Sequence, residues 1–183
     1  LSAPLAVHGV GLVSPHGRNL NALSSAGVAA TSRLRPAPAP TEDGQSWPAS
    51  PAYWMDAFDG HERLGPKGLL GVDRMTQLTL VACLDALETS PPLEDEQRRE
   101  TGLVLGSRAG SMASFCELVR STYTGLPHMV SPLKFPSAVM NCPAGQAAIW
   151  HKLSGVNCTI CAGDLSGLAA LDYAARMLRL GHA

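Results

Sequence analysis

Residues 155–181 constrain the fold more than any other part of the chain. A short β-rich run at 157–162 meets Gly163 and continues as a helical pattern beginning at Asp164. A strand that turns sharply into a helix N-terminus presents one side chain beside unsatisfied backbone N–H groups. Asp164 is the residue presented here, with Gly163, Ser166 and Gly167 completing the turn. The helical segment carries Leu168, Leu171, Ala175 and Leu178 on one face and small Ala169, Ala170 and Ala174 elsewhere, the pattern of a close-packed core helix. Tyr173 and Arg176 fall on its flank.

The rest of the chain fits the same alternation. Residues 5–12 form an apolar run ending in Ser14-Pro15-His16-Gly17, which predicts a buried strand entering a turn. The Gly9-x-Gly11 pair lacks the third glycine and the downstream acidic residue of a dinucleotide fingerprint. Residues 19–30 predict a helix capped near Asn19. Residues 35–71 are proline-rich and hold Trp47, Tyr53 and Trp54 among polar residues. They predict a surface excursion with short turns at most, an insertion pinned by its aromatics in preference to a binding lid. Asp73 then caps a helix through Leu87, with Leu78, Val81, Ala82 and Ala86 at helical spacing and Ser90-Pro91-Pro92 as its stop.

Residues 101–106 are continuously apolar, as in a strand covered on both faces. The turn 106–110 leads to a helix over 111–122 with a Phe115, Leu118, Val119 stripe. Residues 131–137 are a loop punctuated by Pro132 and Pro136, and 141–153 a helix broken near its start by Pro143. Apolar strands alternating with helices imply an α/β layered fold, a mainly parallel sheet with helices on both faces.

At 183 residues and 45% hydrophobic composition the chain can bury a core. A net charge of −1 without a Lys/Arg cluster argues against nucleic acid or anionic membrane as partner. No apolar run reaches the roughly 18–20 residues of a membrane span, and residues 1–17 lack the basic start of a signal peptide. The first residue is Leu, which suggests a trimmed sequence. Five dispersed cysteines, an odd number, fit reduced thiols and a cytoplasmic location. Cys158 and Cys161 have C-x-x-C spacing, yet on a strand they point to opposite faces, so two small buried core thiols are favoured over a redox or metal pair. The six histidines show no ligand spacing, and neither a metal set nor a cofactor motif is expected.

Several segments together resemble the N-terminal half of the β-ketoacyl synthases, the condensing enzymes of fatty-acid and polyketide synthesis, which have the thiolase fold. They are Val7 to Gly17, Asp73-Arg74 with Gln77, Ala82 and Ala86-Leu87, Gly102 to Ser107, and Phe135 to Asn141 with Gly145. Gly155, Gly167-Leu168-x-Ala170-Leu171 and Gly181 are similar to the segment around the family's nucleophile. Residues 1–183 then correspond to a ketosynthase N-terminal-type domain, incomplete relative to the family.

Counted without gaps from Asn141 through Gly145 and Gly155 to Gly181, the family's nucleophilic cysteine falls on Asp164. Cys161, three residues earlier, becomes the nucleophile only with a gap that spoils the downstream match. A cysteine at a helix N-terminus is favoured as thiolate and stores an acyl chain as a thioester. A carboxylate suits the same dipole but is a poor nucleophile, and its anhydride would hydrolyse. The plain reading of Asp164 is an N-cap accepting from Ser166 or Gly167 N–H, adding about 1 kcal/mol.

The functional reading implied by the resemblance is a chain-length-factor-like subunit, in which the cysteine is also replaced. Such a subunit pairs with an active ketosynthase, or with a second copy of itself, and acts on chains borne by an acyl carrier protein. By the same resemblance the strand at 157–162 is the candidate dimer interface, and Met112, Phe115 and Cys116 face the acyl tunnel or are plain core. The alternatives are an active or decarboxylating ketosynthase whose catalytic histidines lie in a second half, and a half-ketosynthase acting as a binding or scaffold protein. None of the six histidines here matches the family's two.

Overall fold

The computed structural model describes residues 4–28, 34–35, 52–53, 55, 58–124, 128 and 130–182. Residues 4–13, before the first helix, take no regular structure and join no ladder, and Ser14 and Gly17 close a turn by two backbone hydrogen bonds of 3.1 Å. The strand expected at 5–12 is therefore not formed among the described residues, and Val7 is 81% exposed. Hydrophobicity alone does not make a strand: it needs a partner edge, and this segment lies across a helix instead. A Cβ at Gly11 would sit 1.9 Å from the Ala82 carbonyl oxygen, and one at Gly9 2.3 Å from that of Ala86. The Gly9-x-Gly11 pair thus serves close backbone approach to a helix whose facing residues are alanines. Thr89 Oγ1 accepts from Val10 N–H at 2.9 Å and fixes the crossing.

Helix α1 (Leu20–Val28) is capped as expected, Asn19 Oδ1 accepting from Ala22 N–H at 2.7 Å. Inside the proline-rich stretch, β1 (Leu34–Arg35) and β2 (Ala52–Tyr53) pair antiparallel and α2 (His61–Leu64) forms one turn, more order than the sequence predicts. Trp47 and Trp54 lie outside the described residues. Helix α3 (Arg74–Thr89) is the central beam, with Asp73 Oδ1 accepting from Thr76 N–H at 3.0 Å as its cap. Arg18 pairs with both carboxylate oxygens of Asp85 at 2.7 Å, and Arg63 bridges Asp85 and Glu88, so the N-terminal segment and α2 are fastened to α3.

Helix α4 (Asp95–Glu100) was not expected. Its signal is the reciprocal capping box of Glu94 and Gln97. Strand β3 (Leu103–Gly106) follows, then α5 (Met112–Thr124) and two 3₁₀ turns, Pro132–Lys134 and Pro136–Ala138. Helix α6 (Cys142–His151) is unbroken, a correction to the expected break at Pro143. Proline in a first turn removes an N–H that has no intrahelical acceptor there, so it starts the helix without cost. Strand β4 (Asn157–Ile160) pairs parallel with β3 in the register Leu103↔Asn157 to Gly106↔Ile160, and α7 (Ser166–Arg179) closes the fold.

Alternation along β3 places helices on both faces of this parallel pair. Leu103 packs on the core cluster of Leu69, Leu80 and Ala147, carried by α3 and α6 and the segment before them, while Val104 faces Ala174 and Met177 of α7. His151 is buried in this core, 7% exposed, with Nε2 3.0 Å from the Leu80 carbonyl oxygen. The leucine face of α7 is not core: Leu168 and Leu171 are 69% and 66% exposed, whereas Ser166 and Ala170 are buried. This corrects the reading from periodicity. The helix is amphipathic, but its small residues meet the sheet and its leucines face outward.

Candidate active-site turn

The turn between β4 and α7 is built by two local devices. Gly163 takes φ +59°, the left-handed region that glycine enters without a steric penalty. Ser166, 4% exposed, accepts through Oγ from Ala162 N–H at 2.9 Å and donates to the Gly163 carbonyl at 2.6 Å. Leu165 N–H donates to Ala162 and Ser166 N–H to Gly163, so the chain reverses within 162–166. The helix accordingly starts at Ser166, with Leu165 in the cap position and no side-chain cap bond. Asp164 is therefore not the N-cap, a correction to the expected role. The serine hydroxyl closes the turn from inside and leaves the carboxylate outside, 83% exposed on its side chain.

The Asp164 carboxylate finds its partner on the other strand. Oδ1 lies 3.1 Å from a guanidinium nitrogen of Arg108, in the turn that follows β3. Parallel register makes this meeting possible: Gly106 lies opposite Ile160, and Ser107 N–H continues the ladder to the Ile160 carbonyl at 3.0 Å. Both turns leave the C-terminal edge of the parallel pair, the edge at which α/β sheets bind ligands. They are also packed backbone to backbone, since a Cβ at Gly106 would lie 2.4 Å from the Ser166 carbonyl oxygen. Within the first turn Ser107 Oγ accepts from Gly110 N–H at 2.8 Å. Sequence reading missed Arg108; its only signal is a single cation inside the Gly106 to Gly110 turn.

Of the other expected site residues, Gly163, Ser166 and Gly167 are together in the turn, with Gly167 exposed. Cys161 is exposed at the end of β4, so the pair of buried core thiols is corrected: Cys158 is half-buried and Cys161 open to solvent. Met112, Phe115 and Cys116 lie on an exposed face of α5 and line no part of the apolar groove of about 420 Å³ between β3, α4 and α7. The thiols differ in chemistry. Burial pushes Cys83 on α3 up to about 11, and burial with the Asp73 carboxylate raises Cys142. Among the described residues no group of three or more His, Cys, Asp or Glu could hold a metal ion, and no helix is long and apolar enough to cross a membrane. The arrangement at 162–166 can hold a carboxylate at a solvent-facing turn and pair it with a cation; it offers no thiol at the residue the turn presents.

The whole chain from residue 2 to 183 matches the family model described as "Beta-ketoacyl synthase, N-terminal domain". The 3-oxoacyl-[acyl-carrier-protein] synthase 2 of Coxiella burnetii is 27% identical over 173 residues, which are 94% of this chain and 41% of that protein. The tetracenomycin polyketide synthase ketoacyl synthase beta subunit of Streptomyces glaucescens is 31% identical over 182 residues, 98% of this chain and 44% of that one. Among solved structures, the ishigamide ketosynthase/chain length factor aligns with a TM-score of 0.82 at 32% identity, covering 97% of this chain and 49% of that chain. The chain thus spans less than half the length of each of these relatives. With the parallel β3–β4 pair, helices on both its faces and a strand–turn–helix at residues 157–179, the chain belongs to the β-ketoacyl synthase family as its N-terminal domain, in the thiolase-like ketosynthase fold.

Proposed function

We propose that this domain belongs to a condensation-incompetent ketosynthase homologue that acts as a chain-length-factor-type partner in fatty-acid or polyketide assembly. The observation that carries the reading is Asp164: the turn that presents a side chain between β4 and α7 holds a carboxylate, not a thiol. A carboxylate there is too weak a nucleophile to take up an acyl chain and store it for condensation. The likeness to a protein named as a ketoacyl synthase beta subunit and to one named as a ketosynthase/chain length factor supports the same reading.

The partner is an active ketosynthase or a second copy, and the substrate is carried by an acyl carrier protein in the cytoplasm. The outer edge of β4 is unpaired among the described residues, which supports its use in a dimer. The test mixes the full polypeptide with malonyl-loaded carrier protein, with and without a co-expressed ketosynthase. Elongated product only in the mixture is expected; product or CO₂ release by the protein alone overturns the reading.

One observation favours a second reading, an acyl-transferring ketosynthase: the Cys161 thiol is exposed three residues before Asp164. Covalent labelling by cerulenin at Cys161, lost in Cys161→Ala, supports it and removes the first.

A further inference from the structure

We infer that Arg108 is a positioning residue, and that its pairing with Asp164 forms an ionic latch across the two turns at the C-terminal edge of the sheet. The inference rests on the placement of Asp164 at the acyl-site turn and adds what the carboxylate does there. Four observations meet at this point. The guanidinium and carboxylate are 3.1 Å apart. They lie on turns far apart in sequence that only the β3–β4 register brings together. The turn geometry at 162–166 is completed by Ser166 without help from Asp164, so the carboxylate is free of any capping duty. Beneath the pair the backbones touch at Gly106 and Ser166, so the turns have no room to approach further and only separation is open to them.

A latch here governs separation of the two loops that flank the place where a ligand meets the sheet edge. A thiol at residue 164 would carry an acyl chain; the carboxylate instead ties its turn to the turn after β3, and Arg108 is the partner it holds. In the assembly proposed above, the latch sets access of the growing chain to this domain.

The experiment uses the full polypeptide with its ketosynthase partner. Hydrogen exchange is followed at the turn amides of Gly110, Ala162 and Leu165, which are hydrogen-bonded within the two turns. Arg108→Gln and Asp164→Asn are each expected to speed exchange there by about two- to five-fold, the range of an exposed ion pair, with the double neutral variant no faster than either. Arg108→Lys keeps most of the protection, and the charge swap Arg108→Asp with Asp164→Arg recovers it. Exchange in the single variants equal to the parent, or additive in the double, overturns the latch. The chain-length distribution of products is read in parallel: a shift in the single variants that the swap reverses is expected. Loosened turns with an unmoved distribution overturn the role at the acyl site. A parent protein that supports no product with any ketosynthase counts against the partner function, while the exchange data still decide the latch.

Discussion

Ser166→Ala isolates the device that shapes the candidate turn. The substitution removes one oxygen and adds no bulk, so neither a cavity nor overpacking enters. Two hydrogen bonds are lost, from Ala162 N–H and to the Gly163 carbonyl. A net intramolecular hydrogen bond contributes about 0.5–1.5 kcal/mol, and leaving a buried partner unpaired adds more. Ala162 and Gly163 are both exposed, so water takes over their freed groups and the added penalty is small. The expected loss is therefore about 1–2 kcal/mol.

In urea, with a slope of about 2 kcal/mol/M, the midpoint should fall by about 0.5–1 M with the slope unchanged. Exchange at the Ala162 amide should rise in step, because its acceptor is the atom removed. A midpoint within about 0.2 M of the parent, with the Ala162 amide still protected, would show that Gly163 and the helix set the turn without the hydroxyl.

Three further outcomes follow from the core and its neighbours. Burial lowers His151 from its ordinary 6.5, opposed by the Leu80 carbonyl and reinforced by Arg98, so the unfolded chain binds its proton first as pH falls. Its share of stability is full above 6.5 and is lost as pH drops through the lowered folded value; equilibrium unfolding of His151→Gln between about pH 5 and 7 should show a flatter pH dependence than the parent. Iodoacetamide with peptide mapping should modify exposed Cys116 and Cys161 well before Cys83, which burial holds as thiol; early loss of Cys83 would contradict its packing. Gly106→Ala drives a Cβ against the Ser166 carbonyl, backbone against backbone, and should cost about 1–3 kcal/mol by thermal unfolding and loosen the Arg108–Asp164 contact.

Features decided within four residues were legible in the sequence. Asp73 and Asn19 cap their helices as their neighbours require, and Gly163 marks the reversal after β4, because caps and tight turns are settled by the chain's own nearby N–H and carbonyl groups. The alternation of strands and helices gave the layered parallel fold for the same reason, since periodicity records which face is buried. Pattern could not say against what. Residues 5–12 have a strand's hydrophobicity but lie on α3, and the leucines of α7 have a core helix's spacing but face outward.

The sequence by itself determined the family likeness and that a carboxylate, not a thiol, occupies residue 164, the residue on which the proposed loss of condensation rests. Tertiary structure alone decided what surrounds that carboxylate. Ser166 buries itself to close the turn, which leaves α7 without a side-chain cap and Asp164 outside, and parallel register carries Arg108 to within 3.1 Å of that carboxylate. Electrostatic pairing depends on distance through space, and only the folded sheet converts two remote turns into neighbours.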